Sequence, residues 1–100
     1  MIRYIFFLLL FTINAFSQNL GKLDGRVIDS QTGLALEGAT IQIEGTNFFA
    51  ATDEKGNFQI SDLPTASYNI TASYIGFKSQ TKFNIIVKSI GNPVIDFLLN

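Results

Sequence analysis

The sequence contains no cysteine and no histidine. Without Cys there is no disulfide framework, no thiolate metal site and no thiol nucleophile. Without His the commonest general base and the commonest metal ligand are missing as well, so the many Ser and Thr hydroxyls have no imidazole to activate them. Trp is absent too, and one of the three Tyr, Tyr4, falls in the first seventeen residues. The exposed aromatic platforms that favour carbohydrate binding are therefore scarce. Charge is sparse and mixed in sign. Beyond the first seventeen residues six Lys/Arg stand against eight Asp/Glu, a net of 6 − 8 = −2. A nucleic-acid backbone calls for a basic stripe, and none is present, which excludes nucleic acid as a partner.

What is present points to a single exported domain. One hundred residues allow one domain, and 47% apolar with 15% charged residues suits a folded chain. Met1-Ile2-Arg3 is a short positive start, and Tyr4 to Ile13 is an uncharged run of ten residues dominated by Phe, Leu and Ile. Ala15-Phe16-Ser17 places small residues three and one before a cut after Ser17, the layout of a secretory signal peptide. A membrane-spanning helix needs roughly 20 apolar residues, and Asn14 interrupts this run. Gln18 stands where a lipoprotein signal needs Cys. The division is thus a signal peptide over 1–17, a short tail over 18–22 and a β-sandwich domain over 23–100. The mature chain has no transmembrane helix and is unlipidated.

The stretch from Thr52 to Pro64 organises the rest. Asp53 through Gly56 is turn chemistry: an Asp side chain bonds backbone N–H groups two residues on, and Gly accepts a positive φ. Phe48–Thr52 and Asn57–Ile60 flank it as strands, which predicts a β-hairpin, and Leu63-Pro64 ends the second strand because Pro offers no N–H to a ladder. Elsewhere the apolar period is two. Leu23, Gly25 and Val27 share a face; so do Ala39, Ile41 and Ile43, then Tyr68, Ile70, Ala72 and Tyr74, and finally Ile95, Phe97 and Leu99. Gly76 marks a bulge or bend. Phe77 to Val87 reads as one long strand with Phe83, Ile85 and Val87 inward and Lys82, Asn84 and Lys88 outward. A helix, with its period of 3.6, would scatter these residues around its circumference. Seven short strands with Gly-, Asp- and Asn-rich turns predict an all-β fold, a seven-stranded antiparallel β-sandwich with Phe58, Tyr68, Tyr74, Phe77, Phe83 and Phe97 mostly in its core.

A set of motifs follows in order: Gly25-x-Val27; Thr32-Gly33-x-x-Leu36-x-Gly38-Ala39-x-Ile41-x-Ile43-x-Gly45-Thr46; Thr52-Asp53-x-x-Gly56-x-Phe58-x-Ile60; Leu63-Pro64-x-x-x-Tyr68; Ser73-Tyr74-Ile75-Gly76-Phe77. Together they resemble the carboxypeptidase-regulatory-like domain over about Leu23 to Leu99. The resemblance implies a transthyretin-like (prealbumin-like) Greek-key sandwich. The version with Ser-Tyr-Ile-Gly-aromatic is similar to the N-terminal extension of TonB-dependent outer-membrane receptors that import glycans and other nutrients. Two positions depart from the family pattern, Phe49 and Ala66, where Gly is common, so both loops are expected to follow a different path. In the receptors a plug and a barrel come after this domain, and neither follows Asn100 here. A receptor fragment and a free-standing copy both remain open.

The resemblance implies a non-catalytic module acting through protein contacts. It would lie in the periplasm, associated with the outer membrane, with envelope proteins or the remainder of a receptor as partners. The alternative is a free accessory or carbohydrate-binding domain associated with a secreted hydrolase. No cofactor, metal or catalytic residue is assigned. Asp53, Glu54 and Asn57 lack the alternating oxygen ligands of a calcium loop, and Asp24, Asp29, Glu37 and Glu44 fall on separate elements with no spacing that marks a carboxylate pair. Asp53, Gly56, Pro64 and Gly76 are read as structural turn residues. Phe48 and Phe49, adjacent on a strand, point to opposite faces, so one of them is available for a contact surface. Lys78 and Lys82, on the Phe77–Val87 strand, are candidates for the same contact surface, since that strand offers either a protected edge or a docking face.

Overall fold

The computed structural model describes residues 19–100; the signal peptide expected over 1–17 and the cut expected before Gln18 lie outside them. The chain forms seven strands: β1 (Leu20–Asp29), β2 (Thr40–Ile43), β3 (Phe49–Ala51), β4 (Asn57–Pro64), β5 (Ala66–Ser73), β6 (Gln80–Val87) and β7 (Ile95–Leu99). They make a sandwich of two sheets, ordered β4-β1-β7 and β3-β2-β5-β6. Among the described residues no helix is long and apolar enough to cross a membrane.

Period-two alternation builds the core. Leu23 and Val27 from β1, Ile41 and Ile43 from β2, Ile70 and Ala72 from β5, and Ile95, Phe97 and Leu99 from β7 are all buried between the sheets. Phe58 packs at 6.3 Å, ring centroid to ring centroid, from Phe97. Tyr68, Tyr74 and Phe77 are half-buried against this core, and the Tyr68 hydroxyl donates to the Pro64 carbonyl at 2.5 Å, tying the start of β5 to the end of β4.

Four sequence expectations need correction. First, β1 and β7 run parallel, Gly25 opposite Ile95 through Asp29 opposite Leu99, so the sandwich is antiparallel in every pairing but one. Alternation reports which face a side chain occupies and is the same for either strand direction. Second, the Asp53–Gly56 turn does not close a hairpin. β3 pairs with β2 in one sheet and β4 with β1 in the other, so the turn is a corner carrying the chain between sheets. Third, β1 already begins at Leu20, with Leu20 opposite Pro64, and the tail before it is correspondingly shorter.

The fourth correction concerns two bulges. In β4, Ser61 and Asp62 together stand opposite the single residue Lys22, and Asp62 has φ 58°. The strand continues past this bulge to Pro64, and the inward sequence resets from Phe58 and Ile60 to Leu63. In β6, Phe83 and Asn84 stand opposite Asn69, with Asn84 at φ 55°. Asp and Asn tolerate this left-handed conformation better than most residues. Each bulge flips the faces on one side of it. Phe83 is therefore 66% exposed, not in the core, and Lys82, opposite buried Ile70, turns inward; its Nζ lies 5.7 Å from the centroid of the Phe97 ring. The strand itself starts at Gln80, not Phe77.

Thr52 is the one buried polar side chain of the described residues. Its Oγ1 donates to the Leu36 carbonyl at 2.5 Å and accepts from the Ala39 N–H at 2.8 Å, while its own N–H donates to the Ala39 carbonyl at 2.9 Å. One hydroxyl thus ties the 34–38 connection to the corner after β3. Thr52→Val keeps the shape and leaves a buried donor and acceptor unpaired, so urea melts are expected to show a loss of about 2–3 kcal/mol. Thr52→Ser retains the hydroxyl and is expected to lose about half of that or less.

Candidate interaction surface

Because strand side chains alternate, the residues between the core positions form the outer faces. On the three-stranded sheet these are Asp24 and Arg26 from β1, Asn57 and Gln59 from β4, and Asp96 from β7, lining a shallow groove of about 830 Å³ with Val94 at its rim. Several of its polar groups pair with one another. Gln59 Nε2 donates to Asp24 Oδ1 at 3.0 Å, Lys22 Nζ lies 3.9 Å from Asp24, and the Arg26 guanidinium reaches both oxygens of Asp96 at 3.3 and 3.5 Å. Such exposed ion pairs contribute on the order of 1 kcal/mol at most. The ring nearest the groove, Phe58, is buried and offers no stacking face. Among the described residues no group of three or more acidic side chains is placed to hold a metal ion.

The second face belongs to the four-stranded sheet and is rich in hydroxyls: Thr71 Oγ1 meets Thr81 Oγ1 at 2.8 Å and donates to Glu44 at 2.7 Å. Phe49 stands at one edge of it, 70% exposed, while its neighbour Phe48 is half-buried and packs on the core.

The third surface is the seam where β6 and β7 face each other across the sandwich. At one end it is stitched: the Lys78 N–H donates to the Asn100 carbonyl at 2.7 Å and the Leu98 N–H to Gln80 Oε1 at 3.2 Å. At the other end Asn92 locks the connecting loop, accepting from the Lys88 N–H at 2.7 Å and donating to the carbonyls of Lys88 and Lys22 at 2.6 and 3.0 Å. Between the two ends lies an open, mostly apolar recess of about 430 Å³ lined by Asn84, Ile85, Ile86, Lys88, Pro93 and Ile95.

The residues singled out from the sequence are dispersed over this molecule. Asp53 Oδ1 accepts from the N–H groups of Lys55 and Asn57, both at 2.9 Å, and Gly56 adopts φ +76° with its N–H on the Asp53 carbonyl. Pro64 is the last residue of β4. Gly76, at φ +87°, sits in a turn closed by the Phe77 N–H on the Tyr74 carbonyl at 3.0 Å. Phe48–Phe49 and Lys78–Lys82 belong to opposite edges of the four-stranded sheet and do not form one surface. Ser79 and Lys82 have the spacing of a Ser-x-x-Lys pair, yet no hydrogen bond joins them and the ammonium rests over Phe97.

The apolar recess went unread in the sequence, although a signal was there. Ile85 and Ile86 are adjacent on a strand, like Phe48 and Phe49, and cannot both face inward. Ile85 is half-buried and Ile86 is 66% exposed.

Comparison with known proteins gives a consistent picture. The family model described as CarboxypepD_reg-like domain matches residues 23–99. Carboxypeptidase D of Rattus norvegicus is 42% identical over 77 residues, which cover 77% of this chain and 6% of that protein. Carboxypeptidase D of Homo sapiens is 37% identical over 75 residues, 75% of this chain and 5% of that protein. The chain thus spans only a small part of the length of these curated relatives. Among solved structures, a type II cohesin–X-dockerin complex from Acetivibrio cellulolyticus aligns with a TM-score of 0.67 at 19% identity, over 79% of this chain and 56% of that chain. A protein from Bacteroides uniformis described as a putative carbohydrate binding protein aligns at 0.61 and 20% identity, over 83% and 42%. At these identities the structural likeness shows the fold.

Proposed function

This chain belongs to the CarboxypepD_reg-like domain family, and from that premise we propose that it is a non-catalytic, exported module that works by protein–protein contact. In this reading it is the periplasmic N-terminal domain of a TonB-dependent outer-membrane nutrient receptor. The observation that carries the proposal is the Ser73–Phe77 turn, the segment on which the resemblance to receptor extensions rests. Tyr74 and Phe77 pack against each other at 5.6 Å and against the core, and Gly76 reverses the chain. The turn so anchored leaves Ile75 96% exposed. An apolar side chain held out by a fixed base stabilises almost nothing within the domain and suits insertion into a partner.

The rival reading, a carbohydrate-binding accessory domain, draws on the polar groove of the three-stranded sheet. In that groove Gln59 is already paired with Asp24 and Arg26 with Asp96, and there is no exposed ring. The receptor reading is tested by cross-linking through position 75 in the native envelope, with the captured partner identified. The expected result is capture of a plug-and-barrel polypeptide or another envelope protein by a chain that begins near Gln18. Recovery of the module uncaptured, together with tight sugar binding or hydrolysis in vitro, would promote the rival.

A further inference from the structure

The contact reading leaves open what kind of partner segment the molecule accepts, and the β6 seam addresses that question. β6 has a single hydrogen-bonded neighbour, β5, so its outer backbone edge from Thr81 to Val87 pairs with no other strand. The edge is not plugged by its own sandwich. Lys78 and Gln80 tie the start of β6 to the end of β7, and Asn92 ties the loop after β6 to Lys88 and Lys22, with the apolar recess of Ile85, Ile86, Pro93 and Ile95 between these ties. Fixed ends hold the edge strand on both sides of its bulge at Phe83–Asn84, so an incoming strand has little ordering left to impose.

Charge selects the occupant. Lys78 and Lys88 are exposed at the two ends of β6, while Lys82 turns inward over Phe97, and among the described residues neither Lys78 nor Lys88 has a carboxylate within salt-bridge distance; the ion pairs present are Lys22–Asp24 and Arg26–Asp96, on the other sheet. A second copy of this chain is a poor match, because pairing β6 with β6 brings the exposed cations Lys78 and Lys88 against their own kind. An extended segment that alternates acidic with aliphatic residues fits both features. Its backbone bonds the free edge, its aliphatic side chains enter the recess beside Ile86, and its carboxylates meet Lys78 and Lys88.

We propose that the outer edge of β6 is a strand-addition site for an extended acidic–aliphatic segment of a partner protein. The proposal rests on the protein-contact reading above and gives that contact its chemistry.

The test uses the purified processed protein and strand-length synthetic peptides that alternate Glu with Val, alternate Lys with Val, or carry the Glu/Val sequence with N-methyl groups along one edge. Nitrogen-15 spectra are expected to show the amides of residues 81–87 shifting with the Glu/Val peptide. The Lys/Val and N-methylated peptides are expected to bind at least ~10-fold more weakly, since one loses the charge match and the other the backbone bonds. The Lys78→Glu/Lys88→Glu double variant, altered at exposed positions, is expected to reverse the preference between the charged peptides. Absence of binding by every peptide, shifts confined to the β4-β1-β7 face, or equal binding of the N-methylated peptide would overturn the proposal. If any of these occurs while cross-linking through position 75 still captures an envelope partner, the strand-addition site fails alone and the contact reading stands.

Discussion

Gly56→Val is expected to destabilise the domain by about 3–5 kcal/mol, adding strain at a positive φ to overpacking at a closed site. Gly56 holds φ +76°, which a β-branched residue adopts only at a cost. Its position allows no side chain either: a Cβ would come to 2.7 Å from the Val27 carbonyl oxygen and 3.0 Å from the Ala35 Cβ. The same glycine's carbonyl accepts from the Val27 N–H at 2.8 Å, so a shift that relieved the clash would also loosen the corner from β1. Gly76→Val separates the two causes. Gly76 has φ +87° and nothing within 4 Å of the position a Cβ would take, so only the conformational cost applies, about 1–3 kcal/mol. Urea melts of both variants decide it. Equal losses would mean that the close approach at Gly56 is not felt in solution.

Gly25→Ala is the second large effect, and its cause is different. Gly25 lies at the middle of β1, opposite Phe58 on one side and Ile95 on the other, with no positive φ to require glycine. The ring of Phe58 lies across the space that a Cβ would fill, and the Ile95 carbonyl oxygen crowds it from β7. A single methyl group therefore forces both the Phe58 ring and the β1–β7 ladder to move, and a loss of about 3 kcal/mol is expected. Shrinking the ring with Phe58→Leu is expected to cost stability in the parent but less in the Gly25→Ala background, because the two changes share the same volume. Additive losses in denaturant melts of the four proteins of that cycle would show that the ring does not occupy the glycine's space.

Most of the core was legible from the sequence. Alternation correctly assigned Leu23 and Val27, Ile41 and Ile43, Ile70 and Ala72, and Ile95, Phe97 and Leu99 to the inside. It failed at Phe83 and Lys82, where the bulge at Asn84 shifts the count by one, and it ended β4 at Leu63-Pro64 without showing the bulge at Ser61-Asp62. A bulge adds one residue without changing composition, and Asp62 and Asn84 look like ordinary outward polar residues of a strand. Of the surfaces, the exposed member of the Phe48–Phe49 pair was foreseeable, whereas the recess beside Ile86 depends on where β7 passes β6.

By itself, then, the sequence determined what is local: extended backbone, which side chains share a face, and turns at Asp53–Gly56 and at Gly76. These follow from the two-residue period of a strand and from the few residues that accept left-handed φ, both properties of the chain within a few residues. Tertiary structure alone decided which strands are neighbours: that β3 and β4 part into different sheets, that β1 runs parallel to β7, and that β6 is left with a free edge. Backbone N–H and C=O groups are the same at every position, so a ladder can form between any two strands. The choice among them is made by how the buried faces, Gly25 under Phe58 among them, fit together across the whole sandwich.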